Sequence, residues 1–403
     1  MLTVDPIRLA HRQLEIDRAR VARFPHLLAQ KSARMTASPL GLLRGSAPLF
    51  YELLGRDPWL REGPRGKGWV VGDAHVENFG AYRAGALSKR ETPRSHAKEP
   101  IVFDLNDFDD AMVAPWRLDV LRLATSVVLG ARGFGFNGIR TLELCHVLID
   151  AYVDAAFDRR RPGSAPHVVT ALIDQIRTRS RKSFLDARTE VVRGQRRFIR
   201  GARFEELTRK LRAKCERAFG QYAKGLAKAA RMTPESLEVI DAAFRVAGTG
   251  SLGCLRVAVL VRGRGDVDGG WIFDMKSQGE PSGANLATAA DLQPAERVRT
   301  ATVECLSHPP RMMGTTCIGR RSILVRRLAP QEDKLDLARL DTNDLESLIA
   351  HLGALLGHAH SRGAARRPEA PWSDGERAGL VRRAIALAGI HEALYLAYCD
   401  LAR

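Results

Sequence analysis

Two short apolar runs constrain this chain most, because each delivers a cluster of polar and acidic residues at its C-terminal end. Trp69–Val71 is followed by Asp73, His75, Glu77 and Asn78. Ile101–Phe103 is followed by Asp104, Asn106, Asp107, Asp109 and Asp110. Short apolar runs between polar segments read as buried strands. A carboxylate in or beside such a strand is costly unless something pairs with it. Two polar turns capping strands would be one explanation. The other is an oxygen-ligated divalent metal such as Mg²⁺, with one carboxylate left over as a base.

Composition narrows the frame. A chain of 403 residues, 45% of them hydrophobic, can bury one large or two modest cores. The net charge of +17 points to anionic partners, and the charge is concentrated: from Arg177 to Arg231 there are 18 Lys/Arg against 5 Asp/Glu. An aromatic content of 6% argues against a stacking platform for single-stranded nucleic acid. The six cysteines form no CxxC pair, which points to a reduced cytoplasm and away from structural zinc. The N-terminus is charged from Asp5 onward, unlike a signal peptide, and no apolar run of about 18 residues predicts a membrane span.

Gly72-Asp73-Ala74-His75-Val76-Glu77-Asn78 resembles the HGDxHxxN catalytic loop of kinase-like phosphotransferases of the aminoglycoside and choline kinase type, with Val71 in place of the first His. Asp107-Phe108 and Asp119 reproduce that branch's metal aspartate and the helix-opening aspartate twelve residues on. GDAHVENFG, FDLNDFDDA and RMTASPLGLLRG together look like a bacterial domain family of unknown function, over most of the chain. The kinase-like resemblance implies Asp73 as catalytic base and His75 beside it or on phosphate. It implies Asn78 and Asp107 as Mg²⁺ ligands, with Asp104 as the alternative, and Asp119 as a structural brace.

A glycine-rich element lies late in the chain. Gly248-Thr249-Gly250-Ser251-Leu252-Gly253 precedes a strand, a charged turn and a second strand ending in Lys276. Strand, turn and strand with Lys differ from a dinucleotide fingerprint, whose glycines open a helix. They match the Gly-rich loop and phosphate-pairing Lys of a kinase small lobe, although an ordinary hairpin turn would also explain the glycines. Gly248, Gly250, Gly253 and Lys276 would then hold ATP phosphates. Glu296, on the following helix, is the favoured partner of Lys276, and the strand over residues 321–330 would give backbone groups to adenine.

The remaining chain reads mostly as helices: over 6–31, 40–54, 118–132, 138–160, 203–231, 345–360 and 375–403, with a small hairpin around Gly194-Gln195. Lys31, Arg34 and Arg44 would reach an anion or pair with a core aspartate. His351, His358 and His360 lack the carboxylate or Cys spacing of a metal site. The basic 177–231 segment is a solvated face, a nucleic-acid surface or a cationic wall for anionic substrates.

The kinase motifs stand in rotated order. Residues 1–239 would form most of a large lobe, 240–330 a small lobe, and 331–403 helices returning to the large lobe. The expectation is an α+β, protein-kinase-like two-lobe fold, circularly permuted. It would be cytoplasmic, bind ATP and Mg²⁺, and transfer phosphoryl to a hydroxyl acceptor that the sequence does not identify. AMP transfer on the same fold, or non-catalytic binding of nucleotide or nucleic acid, are the alternatives.

Overall fold

The computed structural model describes residues 4–85, 100–158, 163–230, 232–288 and 291–402. The fold is of the α+β class. It opens with short helices: α1 (Pro6–Val21), α2 (Leu27–Met35), α3 (Pro39–Gly45), α4 (Ala47–Arg56) and α5 (Pro58–Arg61). Ser38 caps α3 as its sequence position predicts, accepting the Gly41 N–H at 3.0 Å. The single helices expected over 6–31 and 40–54 are each two. Pro25 and Pro48 sit in or just after the breaks, and a proline lacks the N–H that a continuous helix needs.

Strands β1 (Lys67–Val70), β2 (Phe79–Arg83), β3 (Ile101–Leu105) and β4 (Met112–Pro115) follow. The sequence reading missed β2 and β4, and β2 decides the architecture of the site. It pairs antiparallel with β3, with Phe79 opposite Leu105. The two polar clusters therefore meet end to end, and the Asn106 N–H donates to the Asn78 carbonyl at 3.2 Å. β1 pairs with β4 and with a late strand, Ala364–Arg366.

Helices α6 (Arg117–Gly133), α7 (Gly138–Asp158) and α8 (His167–Arg177) come next. The expected stop of α7 at Arg159–Pro162 lies outside the described residues. After α9 (Arg181–Asp186), the predicted hairpin is present as β5 (Thr189–Val192) and β6 (Gln195–Phe198). Its turn is Arg193-Gly194, both with positive φ, one residue earlier than expected. A two-residue strand β7 (Phe204–Glu205) leads into α10 (Arg209–Ala230).

Six strands then form one antiparallel sheet. β8 (Val239–Arg245), β9 (Arg256–Val261), β10 (Trp271–Gln278), β11 (Gly314–Ile318) and β12 (Arg321–Leu328) stand with β7 in the order β11-β12-β10-β9-β8-β7. Helix α11 (Pro294–Cys305) lies between β10 and β11 in the chain. One sheet face packs Phe273 and Met275 against Phe219 and Tyr222 of α10. The other packs Leu260, Ile272 and Leu328 against Leu185, Phe198 and Phe204. Side chains from residues 181–230 thus pack on both faces of the sheet.

The chain returns to the first core through α12 (Thr342–Arg362), β13 (Ala364–Arg366) and α13 (Asp374–Leu401). Ser373 and Glu376 form a capping box at the start of α13. Leu380, Leu387, Leu394 and Tyr398 are buried, Ile390 is half-buried, and Ile385 faces solvent. Among the described residues α13 is the one helix long and apolar enough to cross a bilayer, and a third of that stretch is buried in the fold. Part of the basic charge of 177–231 is tied up in ion pairs. Arg196 binds Asp186, while Arg200 and Arg212 share the buried Asp241.

Candidate functional site

The first polar cluster is held by a brace reaching from α6. Asp119 accepts the N–H groups of Val71 at 2.6 Å and Gly72 at 2.9 Å. Its Oδ2 also lies 3.1 Å from Nε2 of His360, whose Nδ1 meets the Tyr152 hydroxyl at 2.9 Å. Asp119 is therefore the structural residue expected. His360 is a buried partner of that carboxylate, stacked on Trp116. Gly72 has φ +81°, and a Cβ there would run into the Asp110 carbonyl, so the first cluster sits directly on the second.

One cleft brings together Asp73, His75, Asn78, Asp107, Gly248 and Gly250. An adjoining compartment is lined by Lys276, Arg256, Asp274 and Arg326 together with apolar Phe108, Val298, Met313 and Leu324, and the two share Asp107 and Asp109. Residues far apart in the chain thus converge on one space. Three expected members stand elsewhere. Gly253 packs against the backbone of Arg20 at φ +94°, outside the cleft lining. Asp104 is buried under β2, where its Oδ1 accepts the Leu105 N–H at 2.8 Å. Burial pushes its carboxyl up to about 6. Glu296 is taken by Arg299, three residues on, at 2.9 and 3.0 Å.

Lys276 instead pairs with Asp109, which also accepts from Gln278 at 2.8 Å. The sequence reading placed Asp109 in the acidic cluster but gave it no role. Helix α11 offers this region Arg297 rather than a glutamate. Its guanidinium donates to the carbonyls of Ala111, Asp109 (2.9 Å) and Gly279 (3.0 Å), fixing the acidic turn to the end of β10.

Asp73 is clasped by Arg122 of α6, with Nε 2.7 Å from Oδ1, and its side chain remains 23% exposed to the cleft. Burial pushes its carboxyl up to about 7. Arg122 opposes the shift, and Asp110 and Asp107 add to it. Arg122 itself is fully buried, donating to the Leu43 carbonyl at 2.8 Å and lying over the Phe50 ring. The signal for it was present as a lone arginine inside the apolar run LDVLRLATSVV. His75 is held well below its usual pKa by burial, with Arg44, Lys334 and Arg122 adding to the effect. The neutral ring accepts the Glu77 N–H at Nδ1 (3.2 Å), so its proton is on Nε2, 4.0 Å from the Asp73 carboxylate.

Asn78 ties the clusters together. Its amide donates to the Asp73 carbonyl at 3.1 Å and to the Asp107 carbonyl at 3.0 Å. Its Oδ1 is buried with no hydrogen-bond partner among the described residues. An orphaned amide oxygen beside a carboxylate fits a hard cation. The Asp107 side chain reaches solvent; desolvation in the cleft works against its charged form, but Lys276, Lys334, Arg256 and Arg326 together hold its carboxyl below the usual range. Among the described residues no three His, Cys, Asp or Glu side chains converge as a closed metal cage. A Mg²⁺ held by Asp107 and Asn78 would therefore keep water or ligand oxygens.

The glycine-rich turn is anchored from below. Lys31 donates to the Thr249 carbonyl while paired with the buried Asp17, both at 3.3 Å, and Arg34 donates to the Gly248 carbonyl. A Cβ on Gly250 would come 3.1 Å from the Arg44 carbonyl. Of the three basic residues expected near an anion, only Arg44 lines the cleft, where it pairs with Glu77 at 2.5 Å. Arg20 and Lys334 line it as well, unanticipated from sequence.

No curated protein and no solved structure matches the chain. One family model does, over residues 23–401, and it takes in the glycine-rich turn, both acidic clusters and the brace that joins them. The chain belongs to that family, described as an uncharacterized protein conserved in bacteria, DUF2252.

Proposed function

We propose that this protein is an ATP- and Mg²⁺-dependent, kinase-like transferase that passes a phosphorus group from the nucleotide to a hydroxyl acceptor. The observation that carries the reading is the single cleft. Asp73, Asn78 and Asp107 come from the first third of the chain, Gly248 and Gly250 from the middle, and Lys276 lines an adjoining compartment that shares Asp107 and Asp109 with the cleft. The strand order lends support. A glycine-rich turn joins β8 to β9, the Lys is on the central strand β10, and a helix separates β10 from β11. That is the sequence of parts in a kinase small lobe. A circular permutation accounts for its position after the catalytic loop, since exposed chain breaks are tolerated.

In this reading Asp73 takes the acceptor hydroxyl's proton, and a carboxyl near 7 suits a base working near neutral pH. Arg122 orients that carboxylate, and Asp119 holds the loop that carries it. His75 offers an N–H into the cleft. Asp107 and Asn78 hold the metal, which when bound supplies neutralisation of phosphate charge. Lys276 exchanges Asp109 for phosphate oxygens.

Calorimetry of ATP binding with and without Mg²⁺, on wild type, Asp107→Ala and Lys276→Ala, tests this. We expect Mg²⁺-dependent binding that both substitutions weaken while circular dichroism stays unchanged. A wild-type protein that binds no ATP would sink the proposal.

A further inference from the structure

At the end of the six-stranded sheet where β10 begins and β12 stops, four arginines gather around one indole. Arg327 lies opposite Phe273 in the β10–β12 register, so it shares the face that carries Trp271, Phe273 and Met275. Its guanidinium carbon stands 4.7 Å from the centre of the Trp271 ring, and that of Arg181, at the start of α9, stands 6.0 Å from the same ring. Two more arrive on the backbone of β2. That strand lies between the chain after β12, where Ala81 and Asp333 exchange hydrogen bonds at 2.8 and 3.1 Å, and the segment before β11, where Ala84 bridges Pro310. Arg83 and Arg311 are thereby carried toward Arg327, whose guanidinium feels the charge of both.

Arg327 is the anomaly. It is half-buried, yet it has no ion pair and no hydrogen bond from its guanidinium to any described residue, and its Nε–H is enclosed. Trp271 is 5% exposed, and its Nε1–H is likewise buried with no partner among the described residues. The carboxylates close by are engaged. Glu332, which acts on Arg327, accepts the Ala329 N–H at 3.0 Å and pairs with Arg326 at 3.6 Å, and Asp333 is taken by Arg179. Burial, with Arg181, Arg311 and Arg83 adding to it, pulls the Arg327 guanidinium down to about 9. Burial and Arg83 depress Arg181 and Arg311 in the same way. Like charges around an unpaired guanidinium, and buried N–H groups without acceptors, both destabilise the fold. An oxyanion at this corner would relieve both.

The donors also say which oxyanion. Stacking on the indole occupies the flat faces of the guanidiniums and leaves their N–H edges to bond in plane. Arg181 spends one N–H on the Gly269 carbonyl at 3.2 Å. One such fork satisfies a flat, singly charged carboxylate. Two forks beside one ring match a tetrahedral, doubly charged phosphate better. We infer that this corner of the sheet is an anion site that binds a phosphate group between Arg327 and Arg181, beside the Trp271 N–H, with Arg83 and Arg311 adding attractive charge. None of these five residues lines the cleft or the compartment adjoining it, so the site is separate from the one proposed for catalysis.

Calorimetric titration with inorganic phosphate and with pyrophosphate tests this, in buffer containing EDTA and with ionic strength held constant by chloride. Saturable binding is expected, weakened about tenfold or more in Arg327→Gln and in Arg181→Gln. Lys276→Ala and Arg44→Ala should bind as wild type does. Binding lost in those two and kept in the first pair would place the anion in the cleft and overturn the inference, as would a wild type that binds neither anion. Stability gives an independent reading. In phosphate-free buffer Arg327→Gln should be as stable as wild type or more so, because it removes an unpaired cation from among like charges, and added phosphate should stabilise only the wild type. A variant clearly less stable without phosphate would make Arg327 a packing residue on Trp271, and the site would fall.

Discussion

Asp73 and Asp274 are both aspartates set in the body of the fold and touched by arginine, yet their carboxyls shift in opposite directions. Asp73 meets one guanidinium, from Arg122, and faces the carboxylates of Asp110 and Asp107; burial wins and its carboxyl rises to about 7. Asp274 meets Arg245 and Arg256 with Arg326 nearby, and these cations outweigh a still deeper burial, so it stays ionised. Desolvation acts on both; the number of cations within reach decides the sign. The first carboxyl can exchange a proton at neutral pH and opens on the cleft. The second is a fixed anion that anchors the sheet.

Substitutions should separate the two roles. The largest effect is expected from Asp274→Asn, which leaves Arg245 and Arg256 buried without their counter-ion. A loss of about 3–5 kcal/mol in denaturant-monitored stability is expected, and a loss below 1 kcal/mol would show that solvent reaches those arginines. Asp73→Asn keeps an oxygen for the buried Arg122 guanidinium but removes its counter-ion, so it should lose some stability while still binding ATP as wild type does, with turnover about a hundredfold or more lower. Weaker ATP binding with unchanged turnover number would remove Asp73 from the chemistry.

Arg122→Gln sharpens the comparison, because it takes away the guanidinium that clasps Asp73 and opposes the effect of its burial. A base works in its deprotonated form, so wild-type turnover should rise with pH through about 7. The variant's rise should move to higher pH, with activity at pH 7 reduced severalfold and recovered in more alkaline buffer. An unmoved profile would mean that Arg122 only fills space. The smallest effect belongs to Asp104→Asn. This carboxyl has a folded pKa of about 6, above its unfolded value, so the wild type gives up stability as pH rises through that range. The variant should be as stable as wild type or more so at pH 8, the difference narrowing as pH falls toward 4. Mg²⁺-dependent ATP binding should be unchanged, and a marked loss would restore Asp104 as a metal ligand.

Much of the site was legible because its parts are local in sequence. The polar clusters after β1 and β3 could be read from apolar runs that stop abruptly at Asp73 and Asp104. The brace Asp119, the cap at Ser38 and the strand ending in Lys276 were likewise visible in short windows. Strand β2 escaped because Phe79–Arg83 follows the first cluster without a turn signal, so its five residues looked like a continuation of the loop. The partner of Lys276 was misread for a different reason. Glu296 lies on the right helix, but Arg299 one turn on captures it, and only the packing of α11 against the acidic turn reveals that Asp109 is nearer.

By itself, the sequence determined the elements and the chemistry they can carry: acidic strand ends, a glycine-rich turn, a lysine at a strand terminus and an arginine inside an apolar helix. These follow from periodicity and from the cost of burying a polar group, which act over a few residues. Tertiary structure alone decided which charges meet. Whether Arg122 finds Asp73, whether Arg245 and Arg256 close on Asp274, and whether the chain after β12 lies on Gly80 depend on contacts between distant segments. Those contacts set the local dielectric and the count of neighbouring cations. Through them they set which aspartate carries a proton and which stays a fixed anion.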